Sequence, residues 1–418
     1  MIDSQIKERE MPTLYLHIGT PKTGTTALQN FLPANEEVLE QHGICYPDFG
    51  FRYTGLGVHR NGHFLVTGNY KDEFGNRVPE KEEADYQEGL RKLEETGKKF
   101  SKIILSDEGI WKQSITDREN FWERLNKDLK RIGFDIKIVV YFRRQNLFVQ
   151  SHWAQKIKEG EEYNFHEYLE SPIFTEYPLD YYEYMHMLAS IFGKEALIIR
   201  VFEKKQFIGE NHTIQEDFLN IFNLKMSDGF VVEQAVYNTS FEGDYLKIKE
   251  ILNNLPEFKS NKNLLISNMK NIQDEKIFEY NYKKYTFFKP GEEEEFMEHF
   301  NSSNSMVAKE FLGREDGRLF YDDIKDYPEY QVDTYQLLCD VILVYGRMVN
   351  LLNEKCEAQL AELNALKPKV KEEKAQRIEK DAELRARIVE LEQTSLWFRL
   401  RRKWRHITRK DTNNAFTH

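Results

Sequence analysis

Apolar residues follow two different periods along this chain. Leu14-Tyr15-Leu16-His17-Ile18, Ile103-Ile104-Leu105, Ile136–Phe142 and Ala196–Val201 are short apolar runs bounded by turn residues, the pattern of strands buried on both faces. Between them lie segments of helical period. Thr26–Leu32 reads as a helix stopped by Pro33, and Asn35–His42 as a second. Glu80–Lys99 is charged and amphipathic, and Arg118–Ile132 places Phe121, Leu125, Leu129 and Ile132 on one face. A further aromatic-rich helix covers Tyr181–Phe192, while residues 51–79, rich in glycine and aromatics, read as irregular. Strands alternating with helices predict an α/β fold, a central parallel sheet flanked by helices.

The pattern changes after Tyr330. Tyr335–Leu352 is a strongly apolar helix, expected to be the last element packed on a domain spanning 1–330, so that 331–352 closes it. Residues 353–392 then hold nine basic and ten acidic side chains. Within them Leu360, Leu363, Leu366 and Val370, then Leu384, Ile388 and Leu391, recur at helical spacing. That describes either a long solvated helix or a coiled coil joining copies of the chain through 353–392, with the heptad broken near Ile378. Pro368 is expected to kink or divide it, because it lacks an N–H. In the tail, 396–418, Leu396, Trp397, Leu400, Trp404 and Ile407 share a helical face flanked by basic residues. Residues 396–410 carry seven Lys or Arg and no acid, a composition suited to peripheral contact with an anionic membrane.

The chain has 418 residues, 40% of them hydrophobic, enough for a sizeable core. Its net charge of −11 argues against a general nucleic-acid binder. Cys45, Cys339 and Cys356 are an odd, widely spaced set that reads as reduced thiols. MIDSQIKERE has no apolar core of a signal peptide, and no run approaches about 18 consecutive apolar residues. The expectation is therefore a cytoplasmic protein without a spanning segment, in contact at most with the inner face of the membrane.

Candidate chemistry begins at LYLHIGTPKTGTTALQNFL, residues 14–32. A strand, a glycine-bearing turn and a helix start converge several backbone N–H groups on one point, an anion site. In an ATP or GTP loop the lysine directly follows the second glycine and precedes a magnesium-binding Ser or Thr. Here Lys22 precedes Gly24, and Thr25-Thr26 follow it. A second signal closes the run Ile136–Phe142: Arg143, with Ser151 eight positions later, two helical turns away and beside the strand end.

Pro21-Lys22-Thr23-Gly24-Thr25-Thr26 resembles the 5′-phosphosulfate loop of sulfotransferases that use 3′-phosphoadenosine 5′-phosphosulfate (PAPS). Arg143 and Ser151 stand where that family holds the 3′-phosphate. The resemblance covers roughly residues 12–210, including LIIRVFEKKQF with Arg200 and Glu203, and looks most like bacterial enzymes acting on surface polysaccharides. It implies a P-loop-like sulfotransferase fold, PAPS as co-substrate, no metal, and transfer of a sulfuryl group to a carbohydrate hydroxyl. It further implies that Lys22 contacts the bridging oxygen and the phosphosulfate. Two departures stand out: Ala27 occupies the place of an adenine-stacking aromatic, and no Arg-Lys-Gly triplet follows late in the chain.

Such a reaction needs a base for the acceptor proton. Glu108, in SDEG just beyond the second strand, lies on the carboxyl-end rim where open α/β sheets bind ligands, and resembles the glutamate base of heparan-type enzymes. It or Asp107 also suits a helix cap. His59 and His63, in GVHRNGHF, are the other candidates, because histidine titrates near neutrality. Their spacing would suit a metal pair, but no Cys or carboxylate cluster accompanies them. His17 reads as a hydrogen-bonded core residue, and Trp153, Gln155 and Lys158 as candidates to line the acceptor cleft, with core packing an equal account of Trp153. Two other functions fit parts of the chain: a kinase-like P-loop enzyme, and a non-catalytic nucleotide-binding scaffold for glycan synthesis.

Overall fold

Every strand of the sheet pairs in parallel with its neighbour, as strands separated by helices should. This is seen in a computed structural model that describes residues 11–54, 56–57, 59–112, 118–172, 177–232, 241, 243–259, 264–275 and 284–413. The strands are β1 (Thr13–His17), β2 (Ile44–Cys45), β3 (Lys102–Ser106), β4 (Asp135–Phe142) and β5 (Leu197–Val201), in the order β2-β3-β1-β4-β5. Four match the apolar runs read from the sequence. The fifth, β2, is two residues long, too short to display a period.

Five helices follow the expected segments closely, α1 (Thr25–Ala34), α2 (Glu36–Gln41), α3 (Pro79–Gly97), α4 (Arg118–Arg131) and α7 (Tyr181–Phe192), and between α4 and α7 lie α5 (Gln145–Glu159), the helix that carries Ser151, and the short α6 (Phe165–Glu170), which no segment anticipated. One boundary differs. Helix α1 runs through Pro33 instead of stopping before it, and ends one residue later at Ala34. Asn35 completes that end by donating from Nδ2 to the Phe31 carbonyl at 2.8 Å. Beyond β5 come α8 (Ile214–Asn220), α9 (Gly243–Leu252), α10 (Leu264–Glu275), α11 (Glu292–Glu310) and α12 (Thr334–Asn413).

Successive side chains of β4 serve opposite layers, as the pleat requires. Val139 and Tyr141 join Leu28, Phe31 and Phe218 in one buried cluster. Phe142 stacks on Tyr181 at 4.2 Å on the other side, with Trp111 edge-on at 6.1 Å. Both faces are therefore dry. The chain leaves β1 toward β3 on one side and returns to β4 on the other, so a crevice opens at the carboxyl end of β1.

The chain divides into two compact units, residues 1–341 and 342–418, so α12 crosses the boundary between them. The expected closing helix is not a separate element, and its apolar side chains divide: Val344 is buried and Leu337 and Val341 half-buried, while Tyr335 is 78% exposed and Leu338 55%. Nor does Pro368 divide the helix, which continues to Asn413. By length and composition alone, α12 is apolar enough to cross a membrane, with an 18-residue window of mean hydropathy 1.2. That departs from the sequence expectation, because an average over a window tolerates the charges that interrupt an unbroken run. In the tail, Trp397 and Trp404 are exposed, while the side chains of Ile407, Arg409 and Lys410 lie outside the described residues.

Candidate functional site

The loop after β1 is sewn to β4 by its backbone. Ile18 and Thr20 donate their N–H groups to the Val139 and Tyr141 carbonyls at 3.0 Å, and the Tyr141 N–H donates to the Gly19 carbonyl at 2.6 Å. Thr23 Oγ1 donates to the Thr20 carbonyl at 2.5 Å, closing the turn. Gly24 takes a positive φ of 74° at the start of α1, the left-handed conformation glycine favours. A Cβ at Gly19 would lie 3.2 Å from the Glu108 Cβ, so the bare glycine admits Glu108 against the loop. Two sequence candidates thus become neighbours.

Lys22 and Arg143 form the cationic side. Arg143 Nη1 donates to the Lys22 carbonyl at 2.6 Å, and Tyr181 OH holds the Arg143 carbonyl at 2.6 Å. Burial pulls the Arg143 guanidinium down to about 10, only partly offset by Tyr181. Among the described residues no carboxylate pairs with it. Burial also lowers Lys22 to about 8, helped by the positive charges of Arg143 and Lys158 and opposed by Glu159 and Glu108. A half-buried guanidinium and a half-buried ammonium with no ion pair among the described residues are costly alone and are relieved by an anion. Thr25 is buried and Thr26 exposed at the start of α1, and Pro21 is half-buried. Ser151 lies half-buried on the second turn of α5, and no hydrogen bond among the described residues ties it to Arg143.

No family model, curated protein or solved structure significantly matches the chain. The chemistry is therefore read from the arrangement of its own residues.

Glu108 opens a short turn after β3, half-buried and held on both oxygens. Gln29 Nε2 donates to Oε2 at 2.9 Å, and Arg60 Nη1 stands 3.3 Å from Oε1. Its neighbour Asp107 shares the Arg60 guanidinium and is fully buried. It accepts from Arg60 Nε at 2.9 Å and Nη2 at 2.5 Å, and from the Gly109 N–H at 2.7 Å. Burial pushes the Asp107 carboxyl up, but the His63 hydrogen bond and the Arg60 charge outweigh it and hold the group low. Asp107 is thus the cap and counter-ion, which frees Glu108 to face the loop.

The histidines separate by burial. His63 is buried with Nδ1 2.8 Å from Asp107 Oδ2, so one ring nitrogen is already committed. His59 is exposed. His17 is a core residue, as its strand position implies: Nδ1 lies 2.8 Å from Ser106 Oγ, and burial lowers it to about 4. Among the described residues no three His, Cys, Asp or Glu side chains converge as metal ligands.

Several further expectations are changed by packing. Trp153 is buried, donates to the Tyr163 carbonyl at 2.9 Å and meets Phe165 and Phe287 edge-on, so it builds core, and its edge lines a pocket with His166 and Tyr330. Gln155 donates to Glu159, its own helical neighbour. Arg200 lies 3.6 Å from Asp217, and Glu203 accepts from the Tyr321 N–H at 2.8 Å, both structural roles. Arg60 and Gln29 lie inside the stretches GVHRNGHF and LYLHIGTPKTGTTALQNFL without being singled out there, and only the fold brings them to Glu108. His152 was not singled out either, and burial and the charges of Lys156, Lys22 and Lys112 lower it to about 3. Those lysines widen the positive field around the loop.

Proposed function

We propose that this chain is a sulfotransferase of the P-loop-like fold, moving a sulfuryl group from PAPS to a carbohydrate hydroxyl. The observation that carries this reading is the meeting of Lys22 with Arg143, without a matching acid, directly across Gly19 from Glu108. A cationic pair beside a held carboxylate suits a reaction that binds a polyanion and removes one proton. In the transfer, the bond between sulfur and the 5′-phosphate oxygen breaks as the acceptor oxygen bonds to sulfur. The acceptor proton passes to the Glu108 carboxylate, and adenosine 3′,5′-bisphosphate departs with the electron pair. Lys22 stabilises that departing charge, and the backbone N–H groups of Thr23–Thr26 suit the 5′-phosphate. Arg143 would hold the 3′-phosphate, with Ser151 in reach from α5. Pro21 and Thr20 fix the approach of the loop.

The acceptor reading extends to the tail. Exposed Trp397 and Trp404 among Arg399, Arg401, Arg402, Lys403 and Arg405 suit the inner face of an anionic membrane, where a lipid-linked glycan would be met. The first test is ligand choice. Adenosine 3′,5′-bisphosphate should raise the melting temperature of the protein well above the effect of ATP, which lacks the 3′-phosphate. Labelled PAPS with surface glycans should yield labelled glycan. Equal shifts from both nucleotides, with no transfer, would overturn the assignment.

A further inference from the structure

The C-terminal helix carries a pattern that sulfuryl transfer does not use. With Ile342 at position a of a heptad, Val349, Leu363 and Val370 also fall at a, and Leu338, Tyr345, Leu352 and Leu366 at d. The nine apolar side chains of this seam, Tyr335 included, are 43% to 78% exposed. Another face of the helix start is used within its own domain: Asp340 is buried and accepts from Tyr245 OH and Gln336 Nε2. From Leu352 to Arg405 every side chain is exposed. Between Leu352 and Leu400, Arg387–Glu390 is the one ion pair among the described residues. A helix of that length gains most of its stability from packing, and here neither packing nor ion pairs supply it.

The residue types name the occupant. Ile342, Val349 and Val370 at a, with Leu338, Leu352 and Leu366 at d, are the β-branched and leucine choices that favour two parallel strands. In a parallel pair each g side chain faces the e side chain five residues later on the other helix. Glu362 at g therefore meets Lys367 of the second copy. Lys369 and Lys374 would repel, but they lie where the seam already gives way to Glu373 and Arg377. Pro368 falls at f, on the outer face. We propose that two copies of the chain pair through residues 335–370 as a parallel, in-register two-stranded coiled coil. The pairing is independent of the proposed transfer, and it brings both basic tails to one end.

Cys356 is a built-in reporter, because it is exposed and occupies position a. Light scattering on the full chain under reducing conditions should give about 100 kDa, twice the 49.9 kDa chain. With diamide as oxidant, the two Cys356 thiols should join, their two electrons and protons passing to diamide, since in-register a positions lie within the ~4.4–6.8 Å Cα reach of a disulfide. Cys356→Ser should lose the covalent dimer and keep the mass of two chains. Leu363→Glu with Leu366→Glu should give the mass of one chain while the melting of the N-terminal domain is unchanged. Four results would overturn the proposal. They are a single-chain mass for the unaltered protein at micromolar concentration, a dimer with no Cys356 cross-link, a dimer that survives both glutamates, and retention in membranes after an alkaline wash.

Discussion

At the carboxyl ends of β1 and β3, charged side chains are buried and bonded to one another; along Leu352–Arg405 they stand exposed, one residue after another. The two regions are comparable in their richness in charge and opposite in what charge does there. In the first, Asp107 exists as an anion because Arg60 and His63 face it, so removing a partner strands a charge in a dry interior. In the second, water solvates every ion, and single substitutions leave nothing stranded. Function is expected where charges are held in place, and assembly where a periodic apolar edge runs between solvated ones.

Stability separates the two regions most strongly. Arg60→Ala should cost about 3–5 kcal/mol, the usual penalty for an uncompensated buried charge, and appear as a large drop in the denaturation midpoint. Leu384→Ala, on the exposed helix beyond the proposed seam, should stay within about 0.5 kcal/mol. Similar midpoints for the two variants would erase the contrast.

Turnover sharpens it within the rim. Glu108→Gln should lower sulfuryl transfer by roughly 10²–10⁴-fold and leave the affinity for adenosine 3′,5′-bisphosphate nearly intact, because the amide keeps the shape and loses the basicity. His63→Ala should act mainly through stability, by weakening the hold on Asp107. If Glu108→Gln keeps the full rate and His63→Ala does not, the roles of the two residues are exchanged.

The smallest effect is a pH dependence. Lys22 sits near 8 in the folded protein against an ordinary 10.5. Between those values the unfolded chain holds a proton that the folded chain has lost, so this group adds stability as pH rises through that window. Anion binding has the opposite sign, since it needs the ammonium. Affinity for adenosine 3′,5′-bisphosphate should fall as pH passes about 8, by at most about tenfold per pH unit for one linked proton. Calorimetry in buffers of different ionisation enthalpy should show proton uptake on binding. Lys22→Arg should flatten the curve, and an unchanged slope in that variant would remove Lys22 from the site.

Legibility in the sequence tracked how local each feature is. Four of the five strands and the helix Tyr181–Phe192 were readable because apolar period is a property of neighbouring residues. The loop Gly19–Thr26 was readable because the turn, the lysine and the helix start are contiguous. Arg60 and Gln29 were not, since each becomes significant only when it reaches Glu108 across 48 and 79 positions of chain. Trp153 stayed open for the complementary reason: an aromatic beside a site residue on a helix has the same spacing whether it faces a cleft or the core.

By itself the sequence determined the parallel α/β architecture, the position of the glycine turn Gly19–Thr26 and the heptad of the last helix, because each follows from periodicity or from residues adjacent in the chain. Tertiary structure alone decided that Asp107 is a buried counter-ion and Glu108 the carboxylate turned to the loop, although the two are neighbours on one strand end. It also decided that Arg143 is a half-buried cation without an acid partner among the described residues and that the seam of the last helix faces outward. Burial and pairing are relations between segments far apart in the chain. Whether a charged group is neutralised, shifted or left to a ligand depends on those relations, which no local pattern encodes.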